Sequence, residues 1–296
     1  MDHGMPLQVT TLPRDARLTV EWSWNLCPCS DDTGNVVLLG RPGCESRAEL
    51  LSVALNLPTV ASDEISDLSS GFVLVVGHSG LSLQQLGIKV PGPIRCDFAE
   101  GAVRHRRLYG GGKGQDIAKA VGLSHKGFKP RILDLTAGLG RDGFVLSTLG
   151  ATVQMIERHP VVLALLQDGL TRAQLEAVAD PELEEVLARI SVFGLDGKDY
   201  LEKLSEEHRP DVVYLDPMFP PRGKSSKVKK EMQLFHQLVG VDPDASELLP
   251  LAVERARYRV VVKRPAHAPF LAESKPSYSL KGKSTRFDIY SVQKLP

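Results

Sequence analysis

The amino-acid sequence predicts an α/β fold, in which a mainly parallel sheet with helices on both faces follows a small N-terminal α+β domain. After about residue 110, apolar strand-like runs alternate with amphipathic helix-like stretches, and a glycine-rich turn follows the first such run. Before residue 110, shorter strand-like pieces are separated by polar turns. The 296 residues suffice for one large and one small domain. We therefore expect domains at residues 1–109 and 110–296.

The N-terminal part combines short apolar runs with turn-forming segments such as SDDTGN and KVPGP. The apolar runs predict strands from Val36 to Leu39, from Phe72 to Val76 and from Ile94 to Phe98. Helix-like stretches are expected near residues 46–56 and 80–86. Such a mixture is typical of a small α+β domain.

From residue 110 onward, strands and helices take turns along the chain, as the βαβ units of a parallel sheet require. Strands are expected at RILDLT (131–136), ATVQMIE (151–157), ARISVFG (188–194), DVVYLD (211–216) and YRVVVKR (258–264). Helices are expected to begin at about residues 142, 160 and 245. RFDIYSV (286–292) alternates and follows a Lys/Gly turn, which predicts a final antiparallel hairpin.

Composition sets limits on the class of protein. Lys and Arg number 36, as do Asp and Glu, so any affinity for a polyanion must come from local clusters of charge. No apolar run approaches the ~20 residues that a membrane span needs, and the N-terminus lacks a basic-then-apolar signal pattern. A cytoplasmic protein is therefore expected.

The four cysteines all lie in the N-terminal third, at Cys27, Cys29, Cys44 and Cys96. A single residue separates Cys27 from Cys29, whereas zinc ligand pairs usually have about two to four residues between them. We expect reduced thiols and no metal.

A glycine-rich segment follows the first strand of the C-terminal domain, Asp134-Leu-Thr-Ala-Gly138-Leu-Gly140-Arg-Asp-Gly143. It contains G-x-G-x-x-G, whose glycines let the backbone approach a ligand while the next helix presents free N–H groups. Glu157 ends the second strand, where a carboxylate can accept both hydroxyls of a ribose. Taken alone, the pattern fits a nicotinamide or flavin dinucleotide enzyme as well as an S-adenosylmethionine (SAM) enzyme.

Further acidic residues at strand ends favour the SAM enzyme. Asp134 precedes the first glycine by four residues, in the D-x-x-x-G-x-G pattern typical of SAM methyltransferases, where the acid helps to fix the loop and the methionine end. Asp196 follows the third strand and can accept from an adenine amino group, and Asp216 follows the fourth strand. Any one of these is compatible with a turn-forming aspartate. Together with Glu157 they put four acids at four successive strand ends, which is where such sheets bind ligands.

Asp216 begins the segment Asp216-Pro217-Met218-Phe219, which resembles the [D/N]-P-P-[F/Y/W] element of amino-methyltransferases that act on bases. An exocyclic amine is a poor nucleophile because its lone pair is delocalised, so its hydrogens must be accepted and its lone pair turned toward the methyl group. Asp216 and a carbonyl restrained by Pro217 can do this, and Phe219 can stack on the base. Asp216 and Phe219 are the expected catalytic residues. The alternative is a proline-containing turn that simply ends a strand.

Longer motifs resemble one bacterial family, the RsmJ family, which methylates N2 of a guanosine in small-subunit (16S) ribosomal RNA. They cover about residues 100–292 and comprise R-H-R-R-L-Y-G-G-G-K-G-Q, L-D-L-T-A-G-L-G-R-D-G, M-I-E-R-H-P, V-V-Y-L-D-P-M-F-P, V-K-K-E-M, V-V-V-K-R-P and R-F-D-I-Y. The resemblance implies a class I, Rossmann-like fold, SAM as the cofactor and 16S ribosomal RNA or the small ribosomal subunit as the partner. No obligate protein partner is evident.

The same resemblance implies which residues contact the cofactor or its surroundings. They are Arg141, Asp142, Glu157, Arg158, Leu195, Asp196 and Asp216, in addition to Asp134, Gly138 and Gly140 of the strand and its loop. Around Leu195 this chain has F-G-L-D-G, where the family carries small hydroxyl residues.

Three basic clusters are expected to contact RNA phosphates: one before YGGGKG, one after the Asp216 turn, and one at the end of the fifth strand. The residues expected to bind substrate are Arg106, Arg107, Lys224, Lys227, Lys229, Lys230 and Lys263. A single lysine run is commonly only a solvated surface, but three clusters around one cleft favour phosphate contacts. The YGGGKG segment lacks the spacing of a P-loop, so a hinge between the domains is expected there.

Other functions remain open on the residues alone. The nearest alternative keeps the chemistry and changes the target to adenine N6 in DNA or to another RNA, although Met218 departs from the D-P-P-Y of the DNA enzymes. A nicotinamide-dependent oxidoreductase and a non-catalytic RNA-binding protein are alternatives of other classes.

Overall fold

The computed structural model describes residues 35–88, 90–99, 112–218, 230–240 and 244–296. Its strands are β1 (Val36–Gly40), β2 (Phe72–Gly77), β3 (Gly80–Gln85), β4 (Arg131–Asp134), β5 (Thr152–Ile156), β6 (Ile190–Phe193), β7 (Val212–Leu215), β8 (Arg259–Pro265), β9 (Tyr278–Lys281) and β10 (Thr285–Ser291). Its helices are α1 (Glu45–Leu55), α2 (Asp116–Val121), α3 (Arg141–Thr148), α4 (Pro160–Ala177), α5 (Pro181–Leu187), α6 (Gly197–Lys203), α7 (Lys230–Val239) and α8 (Ala245–Arg255). Among these described helices, none has the length and apolar character to cross a membrane.

The larger sheet has seven strands in the order β6-β5-β4-β7-β8-β10-β9. Strands β4 to β8 run parallel, and β10 is antiparallel to both β8 and β9. All strands expected after residue 130 form, and β9 and β10 make the expected antiparallel hairpin. Chain order reverses between neighbouring β4 and β7, so the carboxyl ends of these strands open the crevice in which α/β proteins bind ligands.

Helices cover both faces of this sheet, as expected. In β7, Val212 and Tyr214 belong to a core shared with α3 and α4, whereas Val213 and Leu215 belong to a core shared with α6 and α8. All four residues are buried. Because a parallel strand covered on both faces has no solvent side, its sequence is a continuous apolar run without alternation.

The N-terminal sheet has three strands in the order β1-β2-β3, with β1 and β2 parallel and β2 and β3 joined as an antiparallel hairpin. The strands β1 and β2 and the helix α1 confirm the expectations for this part. The helix expected near residues 80–86 is wrong, because this segment forms β3. Its side chains have the two-residue period of a strand, with Leu81 and Leu83 buried and Gln84 exposed. Gly80, at φ 105°, permits the tight turn from β2.

The strand expected from Ile94 to Phe98 is also wrong in extent. Ile94 forms an isolated bridge with Leu83 through two backbone hydrogen bonds of 2.8 and 2.9 Å. Beyond it, Cys96 and Phe98 are buried in the core shared with α3 and α4, and strand pairing does not continue.

A buried aspartate on α4 connects the two sheets. Asp168 Oδ1 accepts a hydrogen bond of 2.7 Å from Arg47 on α1, and Oδ2 accepts one of 3.0 Å from the backbone N–H of Leu81 on β3. Arg172, one turn later on α4, also donates to Oδ2. The N-terminal sheet therefore shares one hydrophobic core with the larger sheet, and ion pairs join its helix α1 to α4. The boundary expected at residues 109–110 lies outside the described residues, and the division into two domains stays a prediction.

Candidate active site

The glycine-rich loop joins β4 to α3 at the crevice. Asp134 ends β4, and its Oδ1 accepts a 3.1 Å hydrogen bond from the backbone N–H of Thr136, which starts the turn. Gly138 and Gly140 have φ of 54° and 68°, a conformation that favours glycine. A Cβ at Gly140 would lie 2.6 Å from Leu166, whereas one at Gly138 would point into open space. The loop is thus packed against the protein on one side and open on the other.

Glu157 holds this loop to the neighbouring strand. It follows β5, is buried, and accepts a 2.7 Å hydrogen bond from the backbone N–H of Gly138 through Oε2 and one of 2.8 Å from that of His159 through Oε1. Each carboxylate oxygen can accept more than one hydrogen bond. Glu157 can therefore support the loop and still accept from a ligand.

Asp134 is a buried carboxyl group in an acidic neighbourhood. Only 2% of its surface is exposed. Burial raises the pKa of Asp134 to about 8, with the carboxylates of Asp142 and Asp216 adding to the rise, against the opposing hydrogen bond from Thr136 and the charge of Lys263. Asp134 is therefore mainly protonated at neutral pH.

Lys263 of β8 lies between two carboxylates. Its Nζ donates to Asp142 Oδ2 at 2.6 Å and to Asp216 Oδ2 at 2.8 Å. Burial opposes the ammonium ion, but the two carboxylates outweigh it, and the pKa of Lys263 is raised. Tyr214 of β7 completes the cluster by donating a 2.7 Å hydrogen bond to Asp142 Oδ2. Residues from β7, β8 and α3 are thus joined at one point.

Asp216 directly follows β7, and its backbone N–H donates a 2.6 Å hydrogen bond to Thr136 Oγ1. Its side chain keeps 39% of its surface. Loss of surrounding water raises the pKa of Asp216, while the Lys263 ammonium opposes the rise and Asp142 adds to it. Among the described residues, Lys263 binds Oδ2 and no donor is recorded for Oδ1. Lys263 therefore fixes one oxygen of Asp216, and the other oxygen accepts no hydrogen bond within the part of the chain that the structure describes.

A second charged cluster lies beside the end of β5. Arg158 donates to both carboxylate oxygens of Asp244 at 2.8 and 2.9 Å and lies 3.6 Å from Asp196 Oδ2. Asp196 caps α6 by accepting from the backbone N–H groups of Lys198 and Asp199. Arg158 thus holds the segment before α8 next to the segment before α6.

The structure brings together most of the cofactor residues expected from the sequence. They lie at the carboxyl ends of β4, β5, β6 and β7 or in the segments that follow, and are Asp134, Gly138, Gly140, Asp142, Glu157, Arg158, Asp196 and Asp216. Arg141 is exposed at the first position of α3, and Leu195 packs against the core on the α6 and α8 side.

Several expected substrate residues lie outside the described residues. They are Arg106, Arg107, Lys224, Lys227 and Lys229, and of Lys230 only the backbone at the start of α7 is described. The expected catalytic residue Phe219 also lies outside the described residues. Lys263 is described, and the contacts found for it are the two carboxylates.

Sequence reasoning missed three site residues: Thr136, Tyr214 and Asp244. Thr136 stands inside the glycine-rich motif, two residues after Asp134, where a hydroxyl residue is a recognisable turn signal. Tyr214 is the one side chain with a hydroxyl in the apolar run of β7. Asp244 carries no signal beyond that of a residue preceding a helix.

The described residues show no cluster of three or more His, Cys, Asp or Glu that could hold a metal ion. Cys44 and Cys96 are buried free thiols, whereas Cys27 and Cys29 lie outside the described residues. Burial raises the pKa of the Cys96 thiol.

Comparison with known proteins gives concordant results. A family model described as "Putative SAM-dependent methyltransferase" matches residues 61–292. The ribosomal RNA small subunit methyltransferase J of Cellvibrio japonicus is 57% identical over 251 residues, which cover 84% of this chain and 94% of that protein. The protein of the same name from Pseudomonas aeruginosa strain LESB58 is 51% identical over 253 residues, covering 86% and 93%.

Among solved structures, a SAM-dependent methyltransferase from Neisseria gonorrhoeae is similar to this chain with a TM-score of 0.65 and 36% identity. The match covers 88% of this chain and 97% of that one. The similarity therefore includes both sheets.

Proposed function

The chain belongs to the SAM-dependent methyltransferase family that includes the ribosomal RNA small subunit methyltransferases J, and from this premise we propose that it methylates N2 of a guanosine in 16S ribosomal RNA. Its cofactor is SAM. The relatives do not support a nicotinamide oxidoreductase, nor adenine N6 in DNA as the target. A cytoplasmic location and the small subunit or its RNA as partner follow from the proposed substrate.

The described residues fit this cofactor. Gly138 leaves open space where a side chain would stand, the Glu157 carboxylate lies directly behind it, and Asp134 lies at the start of the same loop. We propose that Glu157 accepts the ribose hydroxyls, that Asp196 accepts from the adenine amine, and that Asp134 maintains the loop. When bound, SAM supplies a sulfonium methyl group that an amine lone pair can displace.

The observation that carries the proposed function is the placement of Asp216. Its carboxylate lies at the crevice, Oδ2 is held by Lys263, and Oδ1 has no donor among the described residues. We propose that Oδ1 accepts a hydrogen of the guanine amine and so directs the nitrogen lone pair at the methyl group. This carboxylate would also take the proton that the amine nitrogen loses when it is methylated, and its raised pKa would improve it as a base.

Two further expectations complete the proposal. Phe219 stacks on the guanine. The basic residues at 104–107 and 222–230, which precede and follow the segment 112–218 in the sequence, contact RNA phosphates. Phe219→Ala should then reduce RNA-dependent turnover more than SAM affinity.

Methyl transfer from isotopically labelled SAM to 16S RNA, or to small subunits from cells lacking the protein, tests this function. Mass mapping of the RNA identifies the modified guanosine. Asp216→Ala should lower turnover by at least about 100-fold, since it removes both the base and the orientation of the amine. The matched control is Asp199→Ala, an exposed aspartate on α6. Near wild-type turnover in a folded Asp216→Ala variant would contradict the assignment.

A further inference from the structure

The hairpin of β9 and β10 brings a further basic segment to the carboxyl ends of the parallel strands, where the active site lies. Because β10 is antiparallel to β8, its first residue, Thr285, pairs with Pro265 at the carboxyl end of β8. The backbone N–H of Ala266 donates a 3.1 Å hydrogen bond to the carbonyl of Ser284. The β9–β10 turn therefore lies beside the strand end that presents Lys263 to Asp216.

This turn carries exposed positive charge. Lys281 and Lys283 flank Gly282 and are both exposed, and no ion pair to either is found among the described residues. The carboxylate of Asp116 on α2 lies close to this turn, since its Oδ2 would be 3.5 Å from a Cβ at Gly282. Asp116 is itself 3.5 Å from Lys119. Within the described residues, Lys281 and Lys283 thus form no ion pair with Asp116 or with another carboxylate.

Lys113 adds to the same region. It lies in a short 3-10 turn, Gly112–Gly114, that leads into α2, and its side chain is exposed. Asp116 follows it by one helical turn and is next to Gly282. The end of the YGGGKG segment therefore approaches the β9–β10 turn.

An exposed aromatic ring borders the turn. Phe270, on the loop after β8, exposes 37% of its surface. The guanidinium of Arg286, at the start of β10, lies 4.9 Å from the ring centroid. Arg286 is buried, makes two 2.8 Å hydrogen bonds to Asp288, and donates to the carbonyl of Ala266. One side of the ring is thus supported by a fixed cation.

The loop that carries Phe270 is held in an unusual conformation. Leu271 is anchored in the core next to α8, while Ala272 and Glu273 have φ of 52° and 54°, where residues other than glycine are uncommon. Backbone conformations of this kind are concentrated at binding and catalytic segments.

We propose that Lys113, Phe270, Lys281 and Lys283, here called the hairpin rim, form an RNA-binding surface beside the active site. The lysines bind backbone phosphates and Phe270 stacks on an unpaired base. The chain has no net charge, so contacts to a polyanion must come from such local clusters. This surface deepens the proposed function and rests on it, because it assumes an RNA substrate reaching Asp216.

The lysine contacts are tested by RNA affinity at several salt concentrations, using 16S RNA transcribed in vitro. Each lost phosphate contact should reduce the slope of log affinity against log salt by about 0.7 to 0.9. The double variant Lys281→Ala/Lys283→Ala should therefore lose about 1.4 to 1.8 units of slope. The matched control, Lys126→Ala/Lys129→Ala, removes two exposed lysines that precede β4, at the amino-terminal ends of the parallel strands and so away from the active site. It should leave the slope unchanged.

The stacking contact is tested separately. Phe270→Ala should weaken RNA affinity by roughly 5- to 100-fold without changing the salt slope, and Phe270→Tyr should restore it. Affinity for the demethylated cofactor should stay unchanged in all of these variants, which shows that they remain folded.

Failure of the hairpin rim and failure of the proposed function give different experimental results. A wild-type protein that methylates 16S RNA, together with a double lysine variant of unchanged slope, would overturn the hairpin rim and leave the proposed function standing. A lysine-dependent slope in a protein that methylates no RNA would support the rim and contradict the proposed function. If the variants impair methylation of assembled subunits while affinity for naked RNA is unchanged, the rim contacts ribosomal protein and the RNA proposal is wrong.

Discussion

Lys263→Met removes the ammonium group that binds both Asp142 and Asp216. Deleting one member of a buried ion pair typically costs about 3 to 5 kcal/mol. Solvent screening reduces this here, because the side chains of Lys263, Asp142 and Asp216 keep 28%, 19% and 39% of their surface. We expect a loss of about 2 kcal/mol in the free energy of unfolding at pH 8. That corresponds to a fall of roughly 3 °C in the melting temperature of a chain of this size.

The pKa of Asp216 determines at which pH the loss of stability in Lys263→Met is largest. Lys263 opposes the raised pKa of Asp216, so its removal raises that pKa further. A carboxyl group with a raised folded-state pKa contributes stability that is present below its unfolded pKa and lost as pH rises through the folded pKa. The deficit of Lys263→Met should therefore be largest near pH 8 and smaller near pH 5. Since Asp216 is proposed to act as a carboxylate, the pH–rate profile should move to higher pH.

The assay is thermal unfolding and methyl transfer measured from pH 5 to pH 9. Lys198→Met is the matched control, since Lys198 also makes a 2.6 Å ion pair, with Glu247, but on the exposed surface. It should change neither quantity appreciably. Adding Asp142→Asn to Lys263→Met should recover part of the stability, because it removes one of the two carboxylates that Lys263 had bound. Wild-type stability and an unshifted pH–rate profile in Lys263→Met would refute the reasoning.

Variants of two other residues test the cofactor site. Glu157→Ala should weaken binding of the demethylated cofactor, measured by calorimetry, by about 10- to 150-fold, since it removes a charged acceptor worth about 1.5 to 3 kcal/mol. Glu157→Gln keeps an acceptor for the N–H of Gly138 or His159 and should lose less, whereas unchanged affinity in Glu157→Ala would contradict the ribose assignment. Asp134, whose pKa is raised to about 8, should make the free protein less stable as pH rises from 5 to 8, by up to ~1.4 kcal/mol per pH unit. Asp134→Asn should flatten this slope of stability against pH, measured by melting at several pH values. The control Asp67→Asn, at an exposed aspartate, should not change it. An equal slope in both variants would show that Asp134 titrates normally.

The large sheet could be predicted because its strands carry long apolar runs that only burial explains. The V-V-Y-L of β7 and the V-V-V of β8 have no polar side, so they required helices on both faces. The acids of the site could be predicted for a related reason. Parallel strands bring their carboxyl ends to one edge, so residues that follow different strands must lie near each other.

Short elements were harder to predict. The segment Gly80–Gln85 has only six residues. Its apolar side chains alternate as in a strand, but its leucine and glutamine residues are good helix formers, so a helix is predicted as readily as a strand. The strand is formed through pairing with β2, a contact that is not visible in local propensity. The helices α5 and α6 have seven residues each, too few for a periodic signal, although the capping residues Asp180 and Asp196 mark their starts.

The balance of charge in the site depends on contacts between distant segments and lies beyond sequence reasoning. The sequence predicts that Lys263 binds substrate, and this stays a prediction. In the structure Lys263 pairs with Asp142, which is 121 residues away in the sequence, and with Asp216, which is 47 residues away. The acidic residues Asp142 and Asp216 outnumber the ammonium of Lys263 in this cluster, and we expect an excess of negative charge to favour a cationic sulfonium over the neutral thioether left after methyl transfer. Lys263→Met removes the positive charge. It should then change the ratio of the affinities for the methyl donor and its product as well as the rate.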